Sequence, residues 1–404
     1  MTQSQTVRYF DSATPPHIST LILLAGASAL TMNIFLPSLP GMAAYFETDY
    51  RIMQLSVAVY LGFSAFLQII IGPISDKVGR RPVMLWGLVL FLIATLGCIF
   101  APNATVFLAF RMAQAVMAIG MVLSRAVVRD VFPSDKAASM IGYVTMGMSI
   151  VPMLGPVLGG VIEQSFGWKG NFWVLFSLGA LTLAIVWRDV GETKSSSGKT
   201  LIAQFKEYPE LLTSPRFWGY TLASAFASGA FFAYLGGAPF VGTELFEMRP
   251  AVLGTYFGAP AVGYFFGNMI TGIVSARIGI NRMVFWGCFV NAAGIAASLM
   301  VFEMGLGSPL SFFGFMTLVG LGNGLVIPSA TSGALSVRPH LAGTASGLTG
   351  AMMIGIGALL SALAGVLLTP DTGAFPLLWL MFISSVLGII SIWWVVWREK
   401  QIRG

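Results

Sequence analysis

Arg111 and Arg125 lie within one apolar run, with Gln114, Met117 and Met121 between them at steps of three and four. On a helix these steps return to one face, giving a polar and polarisable stripe inside a hydrophobic segment. Ionisable groups in such segments mark paths for polar or charged cargo. Snorkelling is the competing reading, since Arg111 lies about five residues from one end of its run and Arg125 about four from the other. A second lane, Ser56, Tyr60, Ser64 and Gln68, recurs every four residues and must face protein or water instead of lipid. Helix–helix hydrogen bonding and substrate contact both fit it. Asn33, Phe231, Tyr234, Tyr256, Tyr264, Asn268 and Asn323 add amides and aromatics from other apolar runs. Together they suit an adaptable pocket for lipophilic small molecules, although aromatics at such spacings also pack helices.

The chemistry these residues offer is binding, not bond-making. His17 lies in a polar leader and His340 in a connection, neither with a nucleophile or metal partner in sequence reach. No apolar run carries a carboxylate pair, and no phosphate-cradling P-loop occurs, so an enzyme or an ATP-driven pump is not expected. Cys98 and Cys288 sit isolated in apolar runs and give neither metal-ligand nor redox spacing, so no metal or cofactor is expected. All 16 acids fall in loops, tails or the ends of runs.

The elements that must carry these residues follow from composition. Of 404 residues, 56% are hydrophobic and 9% charged, against roughly 25% charged in soluble domains. The chain is an all-α polytopic membrane protein. Runs of about 20 apolar residues number twelve: 18–40, 52–72, 83–101, 106–128, 138–162, 171–187, 217–238, 252–275, 283–301, 309–331, 342–368 and 375–397. The first is too long for a signal-peptide core, and its N-terminal leader is expected to be retained. The long polar break at 188–216 divides the chain into six-helix units at 1–187 and 217–404. With both termini on the cytoplasmic side, 17 of the 22 Lys and Arg residues fall in inner loops and tails and 3 in outer ones. That bias fixes the orientation and accounts for the net charge of +6 without any nucleic-acid partner.

The two halves resemble each other. "GPISDKVGRRPVMLWG" (72–87) aligns without gaps on "GIVSARIGINRMVFWG" (272–287), sharing Gly72/Gly272, Ser75/Ser275, Gly79/Gly279, Trp86/Trp286 and Gly87/Gly287. Parallel six-span repeats point to a transporter whose site lies near the midplane between the halves.

The pattern Gly72-x-x-x-Asp76-x-x-Gly79-Arg80-Arg81 resembles the signature loop of the major facilitator superfamily. The resemblance implies that this cluster latches the cytoplasmic side and breaks during switching, with Asp76 capping a helix start or pairing with a cation. Ala276 and Ile280 replace Asp76 and Arg80 in the second half. "FRMAQAVMAIGMVLSRAVVRD" (110–130) is similar to the family's fourth-helix motif. "GMSIVPMLGPVLGGVI" (147–162) is similar to the fifth-helix signature of drug antiporters, in which Gly155, Pro156, Gly159 and Gly160 allow close packing and bending. "NIFLPSLPGMA" (33–43) and "HLAGTASGLTGAMM" (340–353) are similar to the bicyclomycin- and chloramphenicol-resistance group of drug:proton antiporters. This implies two pseudo-symmetric six-helix bundles and export of small lipophilic compounds from a bacterial inner membrane, with protons as coupling ion and one chain as the working unit. The group's usual first-helix acid is replaced by Asn33, which cannot titrate. Asp130, beside Arg125 and Arg129, is then the first candidate proton carrier and Glu163 the second. With two arginines and no acid in mid-span, neutral or weakly anionic substrates are favoured. A metabolite carrier on the same scaffold is the alternative reading, and a non-transporting receptor a remoter one.

Overall fold

The computed structural model describes residues 8–132, 140, 144, 151, 154–193, 208–338 and 341–403. Among the described residues eleven helices are long and apolar enough to cross a membrane: α1 Ile18–Tyr45, α2 Tyr50–Val78, α3 Arg80–Ile99, α4 Ala104–Val131, α6 Trp168–Asp189, α7 Pro215–Leu245, α8 Pro250–Ser275, α9 Ile280–Glu303, α10 Pro309–Val337, α11 Thr344–Leu367 and α12 Phe375–Gln401; a shorter helical stretch, α5 (154–166), lies between α4 and α6. Helices are the necessary solution, because a chain crossing lipid must satisfy its backbone groups internally. Their starts carry ordinary caps. The Asp49 side chain accepts from Arg51 N at 2.8 Å, and Asn103 accepts from Val106 N at 2.9 Å. Residues 138–139, 141–143, 145–150, 152–153 and 194–207, together with His340, lie outside the described residues.

The helices are generally longer than the apolar runs. The largest difference lies at 72–81, expected from sequence as a loop. Helix α2 continues through Gly72, Pro73 and Asp76 to Val78, and α3 begins at Arg80. Only Gly79 lies between, at φ 108°. That backbone conformation penalises any residue with a Cβ. Gly279 repeats it between α8 and α9 at φ 88°. Gly79 N donates to Ser75 O at 3.0 Å and Gly279 N to Ser275 O at 2.9 Å. The duplicated glycine and serine therefore make one turn, built twice.

The helix pairings repeat as well. Helix α3 packs on α4 and α6, and α9 packs on α10 and α12; α1 meets α4 and α6, and α7 meets α10 and α12. Helix α2 crosses to α11, so the two sets of six touch along those helices. The end bearing both chain termini is called here the termini face, and the opposite end the far face. Asp189, which the sequence placed as an ordinary run-end acid, is fully buried at the termini face. It accepts from Phe10 N at 2.9 Å, His17 N at 3.0 Å and Thr20 Oγ1 at 2.6 Å, tying the N-terminal leader onto α6.

Candidate functional site

Arg111 is the largest fully buried side chain. From α4 its Nη1 donates to Gln114 Oε1 at 2.7 Å and its Nη2 to the Thr31 carbonyl of α1 at 2.9 Å. Gln114 Nε2 in turn donates to Thr95 Oγ1 of α3 at 2.8 Å. The guanidinium lies 4.3 Å from the ring centroid of Phe35 and 4.1 Å from that of Tyr60. Placing an arginine at membrane depth costs about 2.5–3.5 kcal/mol on insertion scales. Two desolvated cation–π contacts at about 2 kcal/mol each and two charge-assisted hydrogen bonds are sufficient to offset it. They do not neutralise it: among the described residues no carboxylate pairs with Arg111. Snorkelling does not occur, since the head group is turned inward.

Arg111 forms one wall of a cleft shared by both sets of helices. Met32 and Asn33 of α1, Val57, Tyr60 and Leu61 of α2, and Phe232 and Leu235 of α7 complete it. The cleft is too tight here to hold a water molecule. Its rim nevertheless keeps polar atoms without hydrogen-bond partners: Asn33 Oδ1, Tyr60 Oη and Arg111 Nε. Along the same face of α2, Ser56 Oγ and Gln68 Nε2 are also buried and unbonded, while Ser64 lies within reach of Tyr60 one turn away. The lane read from sequence is thus not spent on helix–helix hydrogen bonds. A buried polar atom left unbonded costs about 1–3 kcal/mol, and such costs concentrate where a ligand is to be received.

Other sequence candidates fall elsewhere. Met121 is buried in a hydrophobic core built from both sets of helices, beyond a 3₁₀ turn at Ala115–Ala118 that tightens α4 mid-course. Phe231 and Tyr234 belong to an aromatic cluster: Tyr234 stacks on Phe231 and on Phe312, each at 6.3 Å. The aromatic that reaches the cleft is Phe232, adjacent in sequence to the one singled out. Asn323, expected to line the cavity, instead accepts from Asn291 Nδ2 at 2.9 Å and links α10 to α9. Tyr264 of α8 lies within electrostatic reach of Arg125 of α4, across the two sets. Sequence reasoning missed Phe35, Phe232 and Thr95, because apolar and hydroxyl residues beside the polar ones gave no distinct signal.

The acid–base cluster at the termini face centres on Arg80. Its Nη2 lies 2.6 Å from Asp76 Oδ1 and its Nε 3.0 Å from Asp130 Oδ2. Asp76 therefore serves as an ion-pair partner one helical turn before Arg80 and does not cap a helix start. Asp130, expected beside Arg125 and Arg129, makes its ion pair with Arg80. Arg81 Nη2 donates to the Trp187 carbonyl of α6 at 2.9 Å. The ion pairs described at this face stay within one set of helices: Arg216 with Glu399 at 2.7 Å and Arg338 with Glu210 at 3.0 Å lie in the other.

At the far face the two sets meet directly. Tyr50 Oη donates to Gly236 O at 3.1 Å and Gln54 Nε2 to Ser361 O at 3.0 Å. A Cβ on Gly160 would collide with the Pro250 carbonyl oxygen, and one on Gly254 with that of Pro156. Gly159 abuts the Ile34 carbonyl and Gly155 the Leu30 side chain, both on α1. Glu163 points inward from α5 toward Gly41 and is hydrogen-bonded by Ser38. Its Oε2 is buried without a partner.

Comparison with known proteins agrees with this architecture. The family model described as Major Facilitator Superfamily matches residues 21–362. A chloramphenicol resistance protein of Pseudomonas aeruginosa is 31% identical, covering 98% of this chain and 93% of the relative. Multidrug resistance protein D of Escherichia coli is 28% identical, covering 92% and 93%. Among solved structures, a peptide transporter POT in complex with sulfate superposes with a TM-score of 0.76 at 13% identity, covering 93% of each chain.

Proposed function

Because the chain belongs to the major facilitator superfamily, with relatives in the bicyclomycin- and chloramphenicol-resistance group, we propose that it exports small lipophilic compounds by proton antiport. The substrate site is the Arg111 cleft, and alternating access works between units at 1–187 and 217–404 joined by 188–216. Both termini face the cytoplasm, the membrane is a bacterial inner membrane, and a single chain is the working unit. The observation that carries the substrate preference is Arg111, a fully buried cation that pairs with no carboxylate among the described residues. A cationic drug in that cleft would meet an uncompensated like charge, which is costly in a desolvated site. A neutral or weakly anionic drug bearing hydrogen-bond acceptors meets a guanidinium that offers only donors.

The contacts at the far face favour a conformation closed on the outer side. The switch would then part α5 from α8 and α2 from α11, and bring the two sets together at the cytoplasmic side, where Arg80 already pairs with Asp76 and Asp130. Of the two acids considered for coupling, Glu163 has the better support: Asp130 is held by Arg80, whereas Glu163 keeps one oxygen buried and unbonded beside the outer seal. Glu163→Gln is expected to abolish gradient-driven transport while leaving substrate binding.

Everted membrane vesicles with an acid lumen test the whole reading. A neutral phenicol should accumulate on acidification, and a quaternary ammonium dye should not. Strong accumulation of the dye would overturn the charge argument, and accumulation indifferent to the gradient would overturn antiport.

A further inference from the structure

We propose that the groove between α9 and α12 at the termini face binds the headgroup of an anionic phospholipid. The groove encloses about 400 Å³, with Phe285 and Trp393 among its apolar walls and Arg282 and Lys400 at its edge. Trp393 is 65% and Phe285 37% exposed, so the groove opens toward the hydrocarbon side of the bundle. Glu399 is the acid of this groove, and its charge is committed inward. It lies 2.7 Å from Arg216, accepts from Asn281 Nδ2 at 2.7 Å, and accepts from Tyr220 Oη at 3.4 Å. Arg282 and Lys400 are exposed and form no ion pair among the described residues. Two unpaired cations above an apolar trench at one end of the membrane helices match an amphiphile with a negative head and hydrocarbon tails.

The first half shows what this position does when the chain fills it. There the Glu192 carboxylate accepts from Arg80 N at 2.9 Å and from Arg81 N at 3.2 Å, at the start of α3. It lies against Gly79, where a Cβ would collide with it. The duplicated start of α9 has the same glycine turn, yet a Cβ on Gly279 would meet nothing within 4 Å. One half thus spends its anion on the backbone of the α3 start, beside the α3–α6 contact. The other commits its acid, Glu399, to Arg216 and Asn281 and leaves Arg282 and Lys400 at the edge of the α9–α12 groove. Apolar walls at membrane depth select a lipid over a free anion as the occupant.

The test uses the full chain purified in neutral detergent, with phosphatidylglycerol, phosphatidylcholine of the same tails, or inorganic phosphate added. Native mass spectrometry counts bound lipid, and thermal unfolding reads stabilisation. Phosphatidylglycerol should remain bound and raise the unfolding temperature by several degrees, and the other two should do neither. The double variant R282Q/K400Q should lose that shift, and R282K/K400R should retain it. Equal stabilisation by phosphatidylcholine would overturn the proposal, since headgroup charge would then be irrelevant. Equal stabilisation by phosphate would overturn the lipid assignment, and a full shift in R282Q/K400Q, or none in R282K/K400R, would overturn the site.

Discussion

The two halves share a backbone plan and differ in where they place charge. Each uses its fourth helix to hold its third through a buried polar link: Gln114 to Thr95 in the first half, Asn323 to Asn291 in the second. In the first half that link continues to Arg111 and ends in a net positive charge at the cleft. In the second it ends in a neutral amide pair within the core. At the termini face, Asp76 and Arg80 pair in the first half, where Ala276 and Ile280 stand in the second. Duplication preserved turns and helix contacts, which packing constrains, while ionic chemistry diverged. The repeat is thus kept in the turns and helix contacts and lost in the placement of charge.

The comparison can be tested first where the halves agree. Gly160 of α5 and Gly254 of α8 each press against a carbonyl of the other helix. A leucine at either position cannot be accommodated without parting the seal, at a cost of about 1–3 kcal/mol or more for overpacking. Gly160→Leu and Gly254→Leu should each reduce drug efflux to background at normal membrane abundance. Efflux in a resistance assay, with immunoblotting of the membrane fraction, checks this. Normal efflux in one of the two would show that the seal is not reciprocal.

The next largest effect concerns the charge that only the first half carries. Arg111→Met removes hydrogen bonds from a charged donor, worth about 1.5–3 kcal/mol each. Export of a neutral phenicol should fall about tenfold to a hundredfold, with a relative gain for cationic dyes. Competition between the two substrates in vesicles measures the change in preference. Asp76→Asn should follow, with transport reduced about tenfold, because a neutral amide cannot replace the ion pair with Arg80 at the termini face. Substrate binding in detergent should stay within about twofold of wild type, and a comparable loss of binding would place Asp76 in the cargo site instead. The smallest effect is expected at Asn323→Ala. It should destabilise by about 1–3 kcal/mol, as Asn291 loses its partner, and leave drug preference unchanged. A changed preference would return Asn323 to the cavity and weaken the contrast between the halves.

Composition, run length and loop charge were sufficient to establish the fold class from sequence, because lipid permits few solutions and helices report themselves as long apolar runs. The sequence also determined that the acids lie in loops, tails or the ends of runs, and its four-residue lane from Ser56 to Gln68 shares one face of α2, with Ser56 Oγ and Gln68 Nε2 buried and unbonded. Tertiary structure alone decided which neighbours those residues meet. Phe232 reaches the cleft where Phe231 does not, because adjacent helical positions differ by about a hundred degrees and only packing fixes the rotation. Asn323 turns to Asn291, and Asp189 disappears beneath the leader, because long-range hydrogen bonds leave no periodic trace in the chain. The length of α2 was hidden for a similar reason. Two glycines, a proline and four charged residues at 72–81 read as a loop, yet one positive-φ glycine suffices to make the turn, and Arg80 draws Asp76 and Asp130 into helices that meet only when folded.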